Sequence, residues 1–143
     1  MNISEPKTPA EFKKYYDLRW RILRAPWNQS RGSERDQLEE KSIHLMAWGK
    51  KGIPLAVGRV HFNTLQEAQV RYMAVEENQQ GKGLGGMILT GLEKRAHAQG
   101  ARTVVLNSRE TAVEFYKHHG YTIMGPAATM FGVIKHFKMK KML

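Results

Sequence analysis

The apolar residues near the start of the chain recur three or four positions apart, which is the spacing of one face of a helix. They are Phe12, Tyr15, Tyr16, Ile22 and Leu23, and Arg19 fills the remaining position of the same spacing. Thr8 precedes the run as an N-cap, followed by a proline, and Glu11 stands where it can close a capping box. Pro26 disfavours a helical residue before it. The pattern therefore predicts a first helix that starts after Thr8 and stops around Arg24.

Three runs rich in apolar and β-branched residues come next and predict three strands. They span residues 43–48, 53–62 and 67–75. Lys50-Lys51-Gly52 is a turn signal between the first two, so the runs predict a meander of neighbouring strands. Before the first strand, Ser33 and Asp36 have the spacing of a second capping box, which predicts a short helix through Leu38 and Glu39.

The second half of the chain alternates between helical and strand patterns, and Gly100 and Gly120 stand where its two helices should end. The predicted elements are a helix over 84–99, a strand over 102–106, a helix over 110–119, and strands over 121–124 and 130–139 joined through Gly125-Pro126. A chain of 143 residues is long enough for one domain with a core but not for two. We therefore expect a single α/β domain over residues 1–143, with a mixed, mostly antiparallel sheet flanked by helices.

A glycine-rich stretch, Gln80 to Gly86, joins the third strand to the helix that follows it. Glycine lets a ligand approach the backbone closely, and the free N–H groups at a helix start favour binding of phosphate or pyrophosphate. Two known spacings fit the stretch. Gly81, Gly83 and Gly86 match the dinucleotide pattern G-x-G-x-x-G, and Gln80, Gly83 and Gly85 match Q-x-x-G-x-G.

The context of the loop argues against a dinucleotide site. Residues 76–79 separate the loop from the strand, whereas a dinucleotide loop starts almost at the strand end. The next predicted strand ends at Asn107 rather than at an acidic residue that could bind a ribose. Walker A is excluded because Lys82 is followed by Gly83 and not by serine or threonine. A tight turn without a ligand stays the alternative, although turns rarely need this many glycines.

The formal net charge of +10 suits a polyanionic partner, such as nucleic acid, an acidic membrane or a phosphate-rich cofactor like coenzyme A. Part of this charge lies in the tail, at Lys135, Lys138, Lys140 and Lys141. A solvated last strand explains the tail better than nucleic-acid binding, because the tail has no stacking aromatic residue beyond Phe137.

The residue types that are missing narrow the chemistry further. The chain has no cysteine, which excludes disulfides, thiol catalysis and zinc–thiolate sites and fits a reducing compartment. It has no apolar run of membrane-spanning length and no signal-peptide pattern at its start, so we expect a cytoplasmic protein without a membrane partner. The six histidines include no H-x-x-x-H pair, and His118 and His119 point to different helix faces, so we expect no metal site.

A second motif follows the predicted strand over 102–106, with the form F-Y-x-x-x-G-Y from Phe115 to Tyr121. Together with Arg71 to Val75 and the Q-x-x-G-x-G loop, this motif makes the chain resemble the GNAT family of acetyl-CoA-dependent N-acetyltransferases. The resemblance runs from the first helix to the last strand. It implies the GNAT fold, whose sheet is splayed at the acetyl-CoA cleft, here between the strands ending at Val75 and Asn107.

The resemblance also implies the residues of an acetyl-CoA site. Backbone groups of Met73, Ala74 and Val75 would bind the pantetheine arm. The loop would hold the pyrophosphate through Gln80, Gly81, Lys82, Gly83, Leu84, Gly85 and Gly86. Asn107 would lie near the pantetheine, unless it merely ends its strand or caps the next helix. Tyr116 would face the thioester sulfur and protonate the leaving thiolate, with a core aromatic role as the alternative.

The acceptor side is less determined by the resemblance. Gln69 stands near the position where some relatives carry a glutamate, and its amide cannot act as a base. His136 on the last strand is the candidate base, and a strand histidine satisfied by a neighbour is the alternative. Glu34, Glu39 and Glu40 could draw a cationic acceptor, but a solvated helix face explains them better.

The reaction expected from the resemblance is transfer of an acetyl group from acetyl-CoA to a primary amine, by direct attack through a tetrahedral intermediate. The acceptor is a small molecule or a peptide that the sequence does not identify, and the oligomeric state stays open, with a homodimer among the alternatives. Two other classes compete with this enzyme. One is a non-catalytic module that binds acyl-CoA or a nucleotide, and the other is a small basic nucleic-acid-binding protein.

Overall fold

The structure, a computed structural model, describes residues 2–143 as one seven-stranded sheet with three α-helices. The strands are β1 (Asn2–Ser4), β2 (Ile43–Trp48), β3 (Pro54–Phe62), β4 (Glu67–Val75), β5 (Thr103–Arg109), β6 (Thr122–Met130) and β7 (Ile134–Met142). The helices are α1 (Pro9–Leu23), α2 (Leu84–Ala98) and α3 (Val113–His118). None of the helices in this described range is long and apolar enough to cross a membrane.

The strand order is β1-β2-β3-β4-β5-β7-β6, and β4 and β5 form the parallel pair in an otherwise antiparallel sheet. The predicted mixed, mostly antiparallel sheet is therefore confirmed. The parallel pairing is short, because it joins Glu67–Gln69 to Thr103–Val105. After Gln69 the two strands separate, and a cleft opens between them.

Two apolar clusters hold the layers together. The smaller cluster lies under α1 and consists of Tyr15, Leu18, Met46, Val57 and Ala74. The larger cluster joins the sheet to α2 and α3 and includes Ile88, Leu92, Val104, Leu106 and Val113. Met46 belongs to the smaller cluster, whereas its neighbours Leu45 and Ala47 belong to the larger one. Since successive side chains of a strand point to opposite faces, α1 lies on one face of the sheet and α2 and α3 on the other.

The first helix forms as predicted, and its start shows how it is capped. Thr8 Oγ1 accepts the backbone N–H of Glu11 at 3.1 Å. The Glu11 carboxylate accepts the backbone N–H of Lys7 at 2.8 Å, so the capping box closes one residue earlier than in its usual form. The helix ends at Leu23 and a 3₁₀ turn follows, which places Arg24 beside the cleft.

The prediction of a short helix through Leu38 and Glu39 is wrong. Residues 31–38 form turns and irregular structure, and a 3₁₀ turn covers Glu39–Lys41. The Asp36 carboxylate accepts the N–H of Leu38 at 2.9 Å and a hydrogen bond from Arg59 at 2.6 Å. A side chain that binds its own backbone two residues ahead competes with helix formation, and here the arginine holds it in that position.

The predicted end of the fourth long strand is also wrong. β5 continues through Asn107 to Arg109, three residues beyond the predicted end at residue 106. The cause is its pairing with β7, which extends from Thr103 opposite Met142 to Arg109 opposite His136. Pairing with a distant part of the chain leaves no mark on the local apolar pattern.

The predicted turn at Gly125-Pro126 is wrong as well. Both residues lie inside β6, and the hairpin turn is at residues 131–133. β6 is at the edge of the sheet, where a proline can stand without removing a hydrogen bond between strands. The register between β6 and β7 shifts between Ile123 and Gly125, so this pair absorbs the two turn-forming residues as an irregularity.

Candidate active site

The cleft between β4 and β5 has a volume of about 480 Å³. Its walls come from β4, β5, the end of α1, α3 and the β6–β7 hairpin. It brings together four residues predicted from the sequence, Met73, Asn107, Tyr116 and His136. None of the described residues that line it is acidic, and three of them are arginines. Such a cleft can hold a small polar ligand and has a positive local charge.

The glycine loop stands between β4 and the start of α2. Gly81 and Gly83 have φ angles of +80° and +84°, in the left-handed region that favours glycine. A Cβ at either position would meet nothing within 4 Å, so packing does not explain their small size. Gly83 is the N-cap of α2, and no side chain of the described residues caps this helix. The loop is therefore open beside unpartnered N–H groups at the positive end of a helix.

Gly85 and Gly86 are small for a different reason, because they pack against α3. A Cβ on Gly85 would lie 3.2 Å from Cζ of Phe115, and one on Gly86 would lie 2.8 Å from Cε1 of His119. The second motif of the sequence thus supports the first one physically. The contact places the loop on the α2–α3 face of the sheet.

The other three predicted loop residues have separate positions. Gln80 Nε2 donates to the Val75 carbonyl at 3.2 Å, which ties the loop to the end of β4. Leu84 is 2 % exposed and anchors the start of α2 in the core. Lys82 is exposed to solvent. The backbone of this stretch is therefore available to a ligand, while the Gln80 and Leu84 side chains hold the loop in place.

β4 contains a bulge at the middle of the cleft. Val57 pairs with Ala74 and Arg59 pairs with Arg71, so Gly58 stands opposite both Tyr72 and Met73. Tyr72 has a φ of +59°, which is unusual for a residue other than glycine. A bulge leaves one residue out of the ladder and redirects its backbone groups. Positive φ at a non-glycine residue lining a cleft is the kind of strain found at functional sites.

Four arginine side chains surround the Tyr72 ring and hold it in this conformation. Their Cζ atoms lie 4.2 Å (Arg19), 4.5 Å (Arg71), 5.0 Å (Arg59) and 5.5 Å (Arg24) from the ring centroid. Each distance is within the range of a cation–π contact. The four arginines around Tyr72 thus stabilise the bulge, and they also bring much positive charge to one wall of the cleft.

Two carboxylates compensate most of this charge. Asp36 pairs with Arg59 at 2.6 Å and with Arg71 at 2.8 Å, and Glu39 pairs with both Arg19 and Arg59 at 2.9 Å. Burial raises the pKa of Asp36, but the Arg59 hydrogen bond, the Leu38 N–H and the two arginine charges outweigh it and lower this pKa to about 2. Asp36 is therefore ionised throughout the physiological range.

The acidic residues of this region do not form the solvated helix face that the sequence suggested. Glu34 and Glu39 are 5 % and 7 % exposed, and Glu40 alone of the three is exposed. Glu34 Oε1 accepts the N–H of Gly32 at 2.7 Å. Buried, paired carboxylates stabilise the loop before β2 and are not free to attract a cationic acceptor.

Tyr116 lies in α3 at the wall of the cleft, and the residue is 8 % exposed. Its ring packs edge-on against Phe115 and Tyr121, and its hydroxyl forms no hydrogen bond within residues 2–143. Burial raises the pKa of Tyr116, and the nearby charge of Arg109 lowers it by less. The hydroxyl is therefore protonated at neutral pH and can donate to a group in the cleft.

Asn107 is an exposed residue within β5, opposite Lys138 of β7. The alternatives that it ends the strand or caps the next helix are wrong, because the strand continues to Arg109 and α3 has Ala112 at its N-cap. Its amide lines the cleft instead.

His136 is 8 % exposed and lies opposite Arg109 across the β5–β7 pair. Its Nδ1 lies 2.9 Å from the Ile134 carbonyl, an atom that can only accept. Nδ1 must therefore carry the proton in the neutral ring, which leaves the lone pair on Nε2. A histidine in this tautomer can accept a proton from a ligand in the cleft that it lines.

Two further residues of the cleft escaped the sequence analysis. Arg24 Nη1 and Arg109 Nη2 both donate to the Leu23 carbonyl, at 3.1 Å and 3.3 Å. The two side chains come from opposite walls and are far apart in the sequence. No local pattern links them, and the strand carrying Arg109 was predicted to end before it.

A second, larger cavity of about 710 Å³ lies between α1 and the loop before β2. It is lined by residues such as Phe12, Tyr16, Glu40 and His44. None of its described lining residues comes from the glycine loop, β5 or α3, so the chemistry predicted from the motifs belongs to the smaller cleft. Within residues 2–143 no group of three or more potential metal ligands occurs.

Comparison with known protein families places the chain by its sequence. The model of the Acetyltransferase (GNAT) domain family matches residues 27–143. The uncharacterized N-acetyltransferase YjcF of Bacillus subtilis (strain 168) is 29 % identical over 136 residues, which cover 94 % of this chain and 95 % of YjcF. A match over most of the chain, glycine loop and second motif included, shows membership of the family.

Comparison with solved structures shows the same fold. A candidate N-acetyltransferase from Lactobacillus plantarum has a TM-score of 0.87 at 21 % identity, over 99 % of this chain and 97 % of that one. An aminoglycoside 6'-N-acetyltransferase complexed with coenzyme A has a TM-score of 0.83 at 18 % identity, over the same shares. At these identities the likeness supports the fold and does not extend to the substrate.

Proposed function

This chain belongs to the GNAT acetyltransferase family, and from that premise we propose that it transfers an acetyl group from acetyl-CoA to a primary amine by direct attack. The enzyme is an N-acetyltransferase with acetyl-CoA as its co-substrate. One observation carries the finer proposal: Tyr116 lines a cleft where strands β4 and β5 part, and an uncapped, glycine-rich helix start follows β4 along the chain.

The residues present suit the binding of acetyl-CoA. The backbone N–H groups from Gln80 to Gly86 would bind the pyrophosphate, because the loop is open at Gly81 and Gly83 and lies at a positive helix end. Backbone groups of Met73, Ala74 and Val75 have no β5 partner beyond the short parallel pair, and they would hydrogen-bond the pantetheine amides. Asn107 would contact the same arm from the β5 wall.

The nucleophile must be a neutral amine. An alkylammonium has a pKa about three units above neutrality, so losing its proton costs roughly 4 kcal/mol at pH 7. In the proposed mechanism Nε2 of His136 accepts this proton, directly or through one water. Gln69 lines the same cleft, and its amide orients the amine without acting as a base.

Attack forms the new N–C bond and moves negative charge onto the carbonyl oxygen. A backbone N–H freed by the β4 bulge at Tyr72 and Met73 would donate to this oxygen. When the C–S bond breaks and the carbonyl forms again, Tyr116 gives its proton or a hydrogen bond to the leaving thiolate. The attacking nitrogen releases its second proton to solvent water, which leaves the neutral amide. Because burial raises the pKa of Tyr116, its hydroxyl is still protonated when the thiolate leaves.

The proposal is tested by release of free thiol from acetyl-CoA with a panel of amines, amino acids and peptides, alongside calorimetric titration with acetyl-CoA. Saturable, amine-dependent thiol release is expected. Acetyl-CoA binding without release on any amine would favour the non-catalytic module. Absence of acetyl-CoA binding would contradict the proposal altogether.

The loop is tested with Gly83→Asn. Asparagine tolerates a positive φ better than other non-glycine residues, and its side chain would enter the open space where we place the phosphates. We expect acetyl-CoA affinity to fall by at least about tenfold with little loss of stability. Gly100→Asn is the matched control, because Gly100 has a φ of +104° at the far end of α2. Equal affinity in both variants would contradict the role of the loop.

A further inference from the structure

Arg24 and Arg109 differ from the other arginines around the cleft. Arg19, Arg59 and Arg71 each form an ion pair with Asp36 or Glu39. Arg24 and Arg109 form none within the described residues, and they bind backbone carbonyls instead. Two positive charges therefore meet at the Leu23 carbonyl with no carboxylate on the surrounding walls.

Burying these two like charges side by side costs free energy in the protein without a ligand. Arg24 is 5 % exposed, and Arg109 is half-buried. The pKa of Arg24 is lowered by burial and by the neighbouring charges of Arg71 and Arg19, with partial compensation from Tyr72. The pKa of Arg109 is lowered by burial and by Arg24. Buried like charges of this kind are relieved when an anion binds between them.

The pair lies on the acceptor side of the cleft. Arg109 contacts the carbonyl at the end of α1, so both guanidiniums are on the α1 face of the sheet. The glycine loop packs against α3 on the opposite face. The arginine pair is therefore not placed to share the phosphates held by the loop.

An aromatic ring lies close to each guanidinium of the pair. The Trp27 ring centroid lies 5.9 Å from Cζ of Arg109, and the Phe131 centroid lies 5.4 Å from Cζ of Arg24. An arginine beside an aromatic ring can still hydrogen-bond through its N–H groups, and their arrangement matches the geometry of a carboxylate or a phosphate.

We propose that the acceptor is an amine that also carries a carboxylate or phosphate group, and that Arg24 and Arg109 bind this anion. The proposal rests on the acetyl transfer proposed for this cleft and specifies its substrate class. It also accounts for the lack of acidic lining residues, since a polycationic amine would find like charge in the described cleft.

The first test compares matched acceptors by thiol release. The pairs are glucosamine 6-phosphate with glucosamine, and an L-amino acid with its amide, and spermidine serves as the polycationic acceptor. In at least one pair, the member that carries the phosphate or carboxylate should have a kcat/KM about 10- to 100-fold higher than the member that lacks it. The pair with the larger ratio distinguishes phosphate from carboxylate. Preference for spermidine or for the neutral members would overturn the proposal.

The second test asks whether the arginine pair causes the preference. Arg109→Gln should reduce the ratio of anionic to neutral kcat/KM toward one, and Arg109→Lys should leave an intermediate ratio because it keeps the charge and loses the fork. Arg102→Gln is the control, since Arg102 is exposed just before β5. An unchanged ratio in a folded Arg109→Gln protein would overturn the assignment.

A third measurement uses the wild-type protein and avoids folding effects. Inorganic phosphate or acetate should compete with the amine and not with acetyl-CoA. Competition with acetyl-CoA alone would contradict the proposal and would assign the arginines to the co-substrate. Acetylation that prefers spermidine would contradict the proposed anionic acceptor and leave the proposed acetyl transfer standing. Absence of acetyl-CoA binding would contradict both proposals.

Discussion

Replacing Tyr116 with phenylalanine separates a catalytic hydroxyl from a packed ring. The ring keeps its contacts with Phe115 and Tyr121, and the removed hydroxyl has no hydrogen-bond partner within residues 2–143. We therefore expect the free energy of unfolding to change by less than about 0.5 kcal/mol. If the hydroxyl protonates the thiolate, kcat should fall about 100-fold, equivalent to roughly 2.7 kcal/mol of transition-state stabilisation.

Tyr15→Phe is the opposite control for this prediction. The Tyr15 hydroxyl is fully buried, donates to the Gly58 carbonyl at 3.0 Å and accepts from Arg19 at 2.9 Å. Its removal leaves a buried guanidinium with one partner fewer, which should cost roughly 2 kcal/mol of stability while turnover is retained. One variant thus loses rate and keeps stability, and the other loses stability and keeps rate.

The assay is steady-state kinetics with the best acceptor, acetyl-CoA titration and thermal melts on all three proteins. Loss of kcat with retained acetyl-CoA affinity identifies a group used mainly in the transition state. Because burial raises the pKa of Tyr116, its titration should add no loss of activity between pH 6 and 9. A folded Tyr116→Phe enzyme with wild-type kcat would refute the acid role and return Tyr116 to the core.

Two further predictions concern charge. Lowering the pKa of Asp36 from 3.8 to about 2 corresponds to roughly 2 kcal/mol of stability, fully present above pH 5 and lost as the pH falls from 4 to 2. Asp36→Asn should therefore unfold at lower urea concentration than wild type at pH 6, with a gap that narrows toward pH 3; a gap independent of pH would point to packing. Lys82 is an exposed residue of the glycine loop, so Lys82→Ala should raise the KM for acetyl-CoA more at low salt than at high salt, because salt screens exposed charges. Equal effects at both ionic strengths would make Lys82 an ordinary surface residue.

The features that local chemistry determines could be predicted from the sequence. Thr8 and Glu11 mark the start of α1 because a cap acts within one helical turn. Gly100 follows α2 as its C′ residue, with a φ of +104°, for the same local reason. β2 and β4 have the predicted bounds because their apolar residues and the flanking turns are contiguous.

The features set by distant partners could not be predicted in this way. β5 is three residues longer than predicted because it pairs with β7. The predicted helix at Asp36 does not form, because the Asp36 carboxylate binds Arg59. The Arg24 and Arg109 pair exists because an antiparallel pairing extends β5 and α1 ends beside it. Each outcome depends on contacts across the sheet that a local window does not contain.

The bulge at Tyr72 is a further feature that depends on contacts across the sheet. Ala68 and Val70 face the larger cluster, and so do Met73 and Val75, so the alternation changes parity at residues 71–72. An inserted residue in a strand shifts every later side chain to the other face, which is what this change indicates. Apolar residues nevertheless stand at positions 68, 70, 72 and 74, so the sequence itself keeps an unbroken alternation and the change is seen only in the contacts of the folded sheet.

Because the pairing between β4 and β5 is short, the sheet consists of two parts that are joined only where these two strands pair, and each part is called a plate below. Strands β1–β4 form one plate and β5–β7 the other, and residues 67–69 and 103–105 act as the hinge. At the far edge the Arg109 hydrogen bond to the Leu23 carbonyl crosses the gap at 3.3 Å. A co-substrate that hydrogen-bonds both plates replaces the missing rungs of the ladder, so its binding stiffens the whole sheet. The melting temperature of this protein should therefore report the occupancy of its cleft.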